Sequence, residues 1–257
     1  MVWYHTTWYV GMVRYQPYRP SAPALPARAH PLAMTEVLEY PLVVPTREDF
    51  EALGVTKDLA FAEKRGCWST AENNQKALQK AYESYLQQCP RKLDHCRIIK
   101  GTDENGKVIV YAACQLQMPG DPGDLMFSDP SWRHKLLPGE AYVEFIATHP
   151  DYTGKGLGSK LLAWAFEFCE NYRDEDGNAV VTWLSLDVMS ANEGAIRLYE
   201  RKGFVVQKNN PHEDICDVLF TPICLYLGLG CRYCSITYME KPIEAALAET
   251  VEAMERE

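Results

Sequence analysis

Residues 142–172 read YVEFIATHPDYTGKGLGSKLLAWAFEFCENY, and residues 180–204 read VVTWLSLDVMSANEGAIRLYERKGF. The first block opens with a strand, passes through a glycine-rich loop and runs straight into a helix; the second is a strand feeding a helix that ends at Lys202-Gly203-Phe204. Simple alternation puts Tyr142, Glu144, Ile146 and Thr148 on one strand face and Val143, Phe145 and Ala147 on the other. A glutamate in such an apolar strand sits at a solvated edge, pairs with a cation, or lies partly buried with a raised pKa that suits it to act as a base. In Thr153-Gly154-Lys155-Gly156-Leu157-Gly158-Ser159, glycine at alternate positions removes side chains that would keep a diphosphate from backbone N–H groups. The following helix aims the positive end of its dipole at the same spot. Leu157, Leu161, Ala165 and Phe168, joined by Leu162, Cys169 and Tyr172, form the stripe that packs this helix on a sheet. The loop lacks the GxGxxG spacing of a dinucleotide site and has no Walker pattern.

Composition narrows the class. The chain has 257 residues, 47 % of them hydrophobic and 24 % charged, with a net charge of -9. These values describe an ordinary globular protein with one main domain. The acidity argues against a nucleic-acid partner and fits a cationic substrate. Nine cysteines in no paired framework imply a reducing compartment. The single CxxC, Cys231 to Cys234, lacks a second ligand pair at zinc spacing, so no metal is expected.

Residues 1–35 carry three arginines and a proline cluster without an acidic residue. They read as a disordered leader, a transit peptide, or an upstream extension before an initiator at Met34. A cytoplasmic location follows from the first or third reading and a mitochondrial one from the second. The domain spans residues 40–243. Leu42 to Val44 reads as a strand, Thr46 with Asp49 as a capping box before a helix over 48–53, and a second helix covers 57–64. A third helix begins after Ser69 to Glu72 and ends at Pro90, with Tyr82 and Tyr85 serving either packing or substrate contact. Strands over 94–100 and 107–118 flank the Asn105-Gly106 turn of a hairpin. The Pro/Gly-rich stretch 119–139, with Trp132 and His134, is a lid or an inert insertion. The apolar stretch 215–234 is too short to span a bilayer and is buried, membrane-touching or a homodimer contact. A last strand covers 235–240, and residues 244–257 form a tail.

Taken together, Ile146 to Pro150, Thr153-Gly-Lys-Gly156-Leu-Gly158, Leu186-Asp-Val188 and Asn192-x-x-Ala195-Ile196-x-x-Tyr199-x-x-x-Gly203-Phe204 resemble the GNAT superfamily of N-acetyltransferases, over about residues 40 to 208 and the strand near 238. The resemblance implies an α/β (α+β) fold: a mixed, mostly antiparallel central sheet with splayed middle strands, flanked by helices. It implies acetyl-CoA as co-substrate and a primary amine as acceptor. The arm of acetyl-CoA would pair with the backbone of Ile146, Ala147 and Thr148. Its diphosphate would sit on Thr153, Gly154, Lys155, Gly156, Gly158 and Ser159, and Asn192 would hold it by its amide. Tyr199 would protonate the leaving sulfur, and Glu144 would take the amine proton, with His149 the alternative base. Taken one at a time, Tyr199 equally suits a core aromatic and Asn192 a helix cap. Thr153 stands where the family carries Gln or Arg, which removes one long side chain from the diphosphate end. A CoA-binding domain without turnover, acting as a sensor or interaction module, is the second reading.

Overall fold

In the computed structural model, the described residues are 40–61, 80, 82–84, 86–121, 135–174, 176–190, 192–208 and 236–243. All lie in one unit, Leu32–Glu257. Helix α1 is Asp49–Ala60, followed by a 3-10 helix Pro90–His95, strands β1 Cys96–Thr102, β2 Val108–Gln117 and β3 Glu140–Thr148, a 3-10 turn Pro150–Tyr152, and helix α2 Leu157–Glu170. Strand β4 Trp183–Met189, helix α3 Glu193–Arg201 and strands β5 Val205–Val206 and β6 Ile236–Pro242 complete them. The leader 1–35, Tyr85, Trp132, His134, the stretch 215–234 with Cys231 and Cys234, and the tail 244–257 lie outside the described residues.

The six strands form one sheet in the order β1-β2-β3-β4-β6-β5. Only β3 and β4 run parallel, because α2 carries the chain back between them. The other neighbours are antiparallel. Two apolar clusters cover the sheet. Leu157, Leu161, Leu162, Ala165 and Cys169 of α2 join Tyr199 and Phe204 against Cys114, Leu116, Val143, Leu186 and Met239. Phe50 and Leu53 of α1 join Tyr82 against Ile98, Ala113, Phe145 and Ala147.

Several local expectations change. Leu42 to Val44 forms no strand: Val43 makes an isolated bridge to Ile98. The helices expected over 48–53 and 57–64 are continuous, since nothing between Leu53 and Lys57 breaks the turn. In the hairpin, Gly106 takes a left-handed φ of 76° while Asn105 does not. The turn is closed instead by Asp103 Oδ1, which accepts from the N–H groups of Asn105 and Lys107 at 2.8 Å each.

The Thr46–Asp49 box forms, with the carboxylate at its centre. Asp49 Oδ2 accepts from Thr46 N at 2.8 Å and Thr46 Oγ1 at 2.9 Å, and both carboxylate oxygens take the Lys100 ammonium at 2.7 and 2.8 Å. Burial opposes ionisation of Asp49, but Lys100 and Thr46 outweigh it and hold its pKa below the ordinary value. A folded-state pKa below the unfolded one gives stability that is present above the unfolded value and lost as pH falls through the folded one. Asp49→Asn should therefore cost about 2 kcal/mol at pH 7, roughly 4–8 °C in Tm. That gap should close as the pH falls through the lowered folded-state value of Asp49; a gap independent of pH would contradict the pairing.

Candidate active site

Strands β3 and β4 are hydrogen-bonded over four residue pairs, Glu140↔Trp183, Ala141↔Leu184, Tyr142↔Ser185 and Val143↔Leu186. Beyond them, Phe145 to Thr148 pair only with β2, and Asp187 to Met189 only with β6. The two central strands thus part after Val143 and Leu186, leaving each with one row of backbone groups facing the gap. The parting coincides with a bulge: Gln115 pairs with Phe145 and Leu116 with Val143, so Glu144 is the extra residue.

That bulge overturns the simple alternation expected for the strand. Ala141 and Val143 pack in the α2 cluster, whereas Phe145 and Ala147 pack in the α1 cluster and Ile146 faces the α2 cluster. One inserted residue exchanges the faces for the rest of β3.

The closed end of the ladder is pinned by Glu140, which is fully buried. Its Oε1 accepts from Ser185 Oγ at 2.5 Å and Tyr238 Oη at 3.2 Å, and its Oε2 from Leu137 N at 2.8 Å, tying β3, β4 and β6 together. No sequence pattern singled out Glu140 or its partners, because the three strands that meet there are far apart in the chain.

At the open end, Glu144 pairs with a cation. Its side chain has 0 % exposure, and its Oε1 lies 2.5 Å from Nζ of Lys92, a lysine on the 3-10 helix that is itself 0 % exposed. Sequence reasoning missed Lys92, which sits in a polar stretch and gives no apolar or motif signal. Lys57 of α1 places its ammonium 4.7 Å from the Phe145 ring centroid. Burial pushes its pKa down to about 8, against the charges of Glu144 and Asp58, which raise it. Tyr142 donates to Asp187 Oδ2 at 3.4 Å across the mouth of the gap, and its phenol is pushed well up by burial and then by Asp187.

Tyr199 enters from α3 and is buried, with its ring at 5.8 Å from that of Phe204. Burial pushes its pKa up, and the thiol of Cys114 adds to the effect. Cys114 is the β2 partner of Ile146, so the phenol belongs to the layer beneath the parted half of β3. Asn192 occupies the N-cap position of α3, yet its side chain makes no cap hydrogen bond. Its backbone serves instead: Asn192 O accepts from Ala195 N at 3.0 Å and Ile196 N at 3.1 Å.

The glycine loop is held from behind by aromatic rings. Tyr111 meets Tyr40 at 5.4 Å and Tyr152 at 4.3 Å, Lys155 Nζ lies 4.9 Å over the Tyr152 ring, and Lys160 Nζ donates to Tyr40 O at 2.7 Å. Gly154 and Gly156 take φ of 75° and 77°, and Gly156 caps α2 in the left-handed region. The N–H groups of Leu157, Gly158 and Ser159 belong to the first turn, ahead of the bond from Lys160 N to Gly156 O. Gly158 has a second duty, since a Cβ there would come within 3.3 Å of Leu198 on α3. Thr153 turns its hydroxyl back onto Pro150 O at 2.9 Å. His149 is half-buried, its Nδ1 accepts from Asp151 N at 3.3 Å, and burial, partly offset by Asp151, lowers its pKa.

Among the described residues no three His, Cys, Asp or Glu side chains cluster as metal ligands, and no helix is long and apolar enough to cross a membrane.

With a parted parallel pair, a left-handed glycine loop at a helix start, and a tyrosine under the gap, residues 67–204 match the family described as Acetyltransferase (GNAT) family, and the chain belongs to it. A mycothiol acetyltransferase of Acidimicrobium ferrooxidans is 40 % identical over 77 residues, which are 30 % of this chain and 21 % of that protein. The match thus spans about a fifth of that relative's length. Similar solved structures include a GNAT-family acetyltransferase from Streptococcus pneumoniae, at 18 % identity and TM-score 0.45 over 80 % of this chain and 99 % of that one. The ribosomal-protein-S18-alanine N-acetyltransferase of Escherichia coli matches at 22 % identity and TM-score 0.43, over 79 % and 93 %. The PaiA N-acetyltransferase of Thermoplasma acidophilum, solved with coenzyme A, matches at 15 % identity and TM-score 0.47, over 79 % and 98 %.

The pin at the closed end is open to direct test. Glu140→Gln turns one acceptor into a donor facing donors, so the variant should lose about 2 kcal/mol, roughly 4–8 °C in Tm by calorimetry. An unchanged Tm would show that the ladder does not depend on this carboxylate.

Proposed function

We propose that the protein is an acetyl-CoA-dependent N-acetyltransferase that passes an acetyl group to a primary amine by direct attack on the thioester. The observation that carries this reading is the parting of β3 and β4 after Val143 and Leu186, which leaves the backbone donors and acceptors of Ile146 and Thr148 turned toward a gap, with Ala147 between them facing β2. An extended pantetheine arm fits such a row as an added strand. Gly154, Lys155, Gly156, Gly158 and Ser159, with Thr153 before them, offer the diphosphate backbone N–H groups at the start of α2. The Asn192 amide, unused as a cap, is available to the cofactor.

An alkylammonium is charged at neutral pH and must lose a proton before it attacks. Glu144, the first residue of β3 beyond the ladder, accepts that proton through water, since its side chain is buried. The neutral amine attacks the carbonyl carbon, and a backbone N–H of the parted strand receives the developing oxyanion. The C–S bond then breaks and the sulfur takes the proton of Tyr199, whose raised pKa keeps it in place until that moment, while the second proton of the amine nitrogen passes through water to the phenolate left behind. The acceptor is an amine of a small molecule, peptide or protein, and the acidity of the chain favours a cationic one. One observation favours the second reading, a CoA-binding module without turnover: the Glu144 carboxylate is already engaged by Lys92.

Release of free thiol from acetyl-CoA in the presence of an amine panel separates the two. Turnover with at least one amine, reduced about tenfold or more in Tyr199→Phe, supports transfer; binding of acetyl-CoA with no turnover on any amine supports the module. A methyl group at Gly154 meets no atom of the described residues within 4 Å beyond its chain neighbours. Gly154→Ala should therefore fold, with only the modest strain of a left-handed alanine, yet bind CoA about tenfold more weakly in calorimetric titration. Unchanged affinity would remove this loop from the site.

A further inference from the structure

Lys92 is the most deeply buried cation among the described residues, and it is surrounded by acceptors. Its ammonium contacts Glu144 Oε1 at 2.5 Å, Asp121 Oδ2 and Leu116 O at 3.3 Å each, and Oε1 of Gln117. Asp121 Oδ2 also takes His95 Nδ1 at 2.9 Å and Met118 N at 2.9 Å. The side chains of Lys92, Glu144 and Asp121 are each 0 % exposed. A buried ion pair of this kind adds little stability over apolar residues of the same volume, whereas removing one partner strands the other charge. Two carboxylates face one ammonium here, so without Lys92 like charges would lie close together in a buried space and one would take up a proton.

The backbone around Lys92 is fixed as firmly as its side chain. Its N–H donates to Cys89 O at 2.9 Å, and Gln115 Nε2 spans Lys92 O at 3.4 Å and Leu116 O at 2.9 Å. His95, three residues on, meets the rings of Phe168 and Tyr172 on α2. Among the described residues, titratable groups that also act on Glu144 include Lys57 from α1, Cys96 from β1, Cys114 from β2 and Tyr142 from β3. Cys96, Cys114 and Tyr142 are pushed up and so are neutral at pH 7. Among the described residues, Lys92 brings positive charge into direct contact with Glu144, and Lys57 acts on it through space.

We propose that Lys92 is a positioning residue of the acyl-transfer site: its ammonium, held between Glu144 and Asp121, keeps the Glu144 carboxylate ionised and fixed where β3 parts from β4. The inference rests on the reading that Glu144 accepts the amine proton. It gives Lys92 no contact with substrate and places its effect on the ionisation state of Glu144.

Two readouts on the full chain test it, with Glu144→Gln identifying the Glu144 signal: the pH profile of kcat/KM for an amine, and 13C NMR titration of the glutamate side-chain carboxyls. In Lys92→Met the Glu144 titration should move up by about one unit or more. The acid limb of kcat/KM should move with it, and the KM for acetyl-CoA should stay within about twofold. Lys92→Arg, which keeps the charge, should leave the limb near its original position. Asp121→Asn should move the Glu144 titration down, and it serves as the test if Lys92→Met does not fold. A Lys92→Met protein that is less stable but titrates as the unsubstituted protein does would overturn the proposal. So would an Asp121→Asn protein with an unmoved Glu144 signal. If the unsubstituted protein turned over no amine while the Glu144 signal still moved in Lys92→Met, the acyl-transfer reading would fall and the ionisation role of Lys92 would stand.

Discussion

The structure depends on a ladder that stops early. Four residue pairs join β3 to β4, and the bulge at Glu144 ends the match between the two strands at the point where the chain would otherwise continue it. The candidate site is arranged about that stop. Glu140 ties the closed end to β4 and β6, α2 begins beyond the open end, and α3 brings Tyr199 beneath the parted segment. An opening in a central sheet exposes backbone groups that folding ordinarily pairs. A protein that keeps one open must hold its two sides rigidly by other means.

Those means are mostly buried carboxylates and the groups that hold them. Asp49 with Lys100 fastens α1 to β1, Glu140 fastens three strands, and Lys92 with Glu144 and Asp121 fastens the 3-10 helix to β2 and β3. A buried ion pair such as that of Lys92 with Glu144 is a poor contributor to net stability, but it fixes geometry because a misplaced partner leaves a bare charge out of water. The apolar clusters on the two faces supply the stability, and the charged groups set where the strands end.

What was legible in the sequence follows the range of each interaction. The hairpin about Gly106, the glycine cap of α2, the α2 stripe and the paired halves of the central stretch all rest on contacts within a few turns of chain, and local spacing exposes such contacts. The reduction of Leu42 to Val44 to a single bridge is decided by Ile98, far along the chain. The bulge is invisible in β3 alone, since it exists only relative to β2. Lys92 and Glu140 escaped for the same reason: a buried charge is recognised by partners that sequence proximity does not supply. Glu144 was noticed because a carboxylate stood out among apolar neighbours, and its cation was found only in three dimensions.

The central claim is that the gap between β3 and β4 receives the arm of coenzyme A. The most direct measurement is the backbone amide spectrum of the labelled protein titrated with CoA. The largest shifts should fall on Ile146 to Thr148 and Gly154 to Ser159, with α1 residues such as Leu53 and Ala60 little changed. Saturation of the protein with CoA while Ile146 to Thr148 stay unmoved would contradict the account.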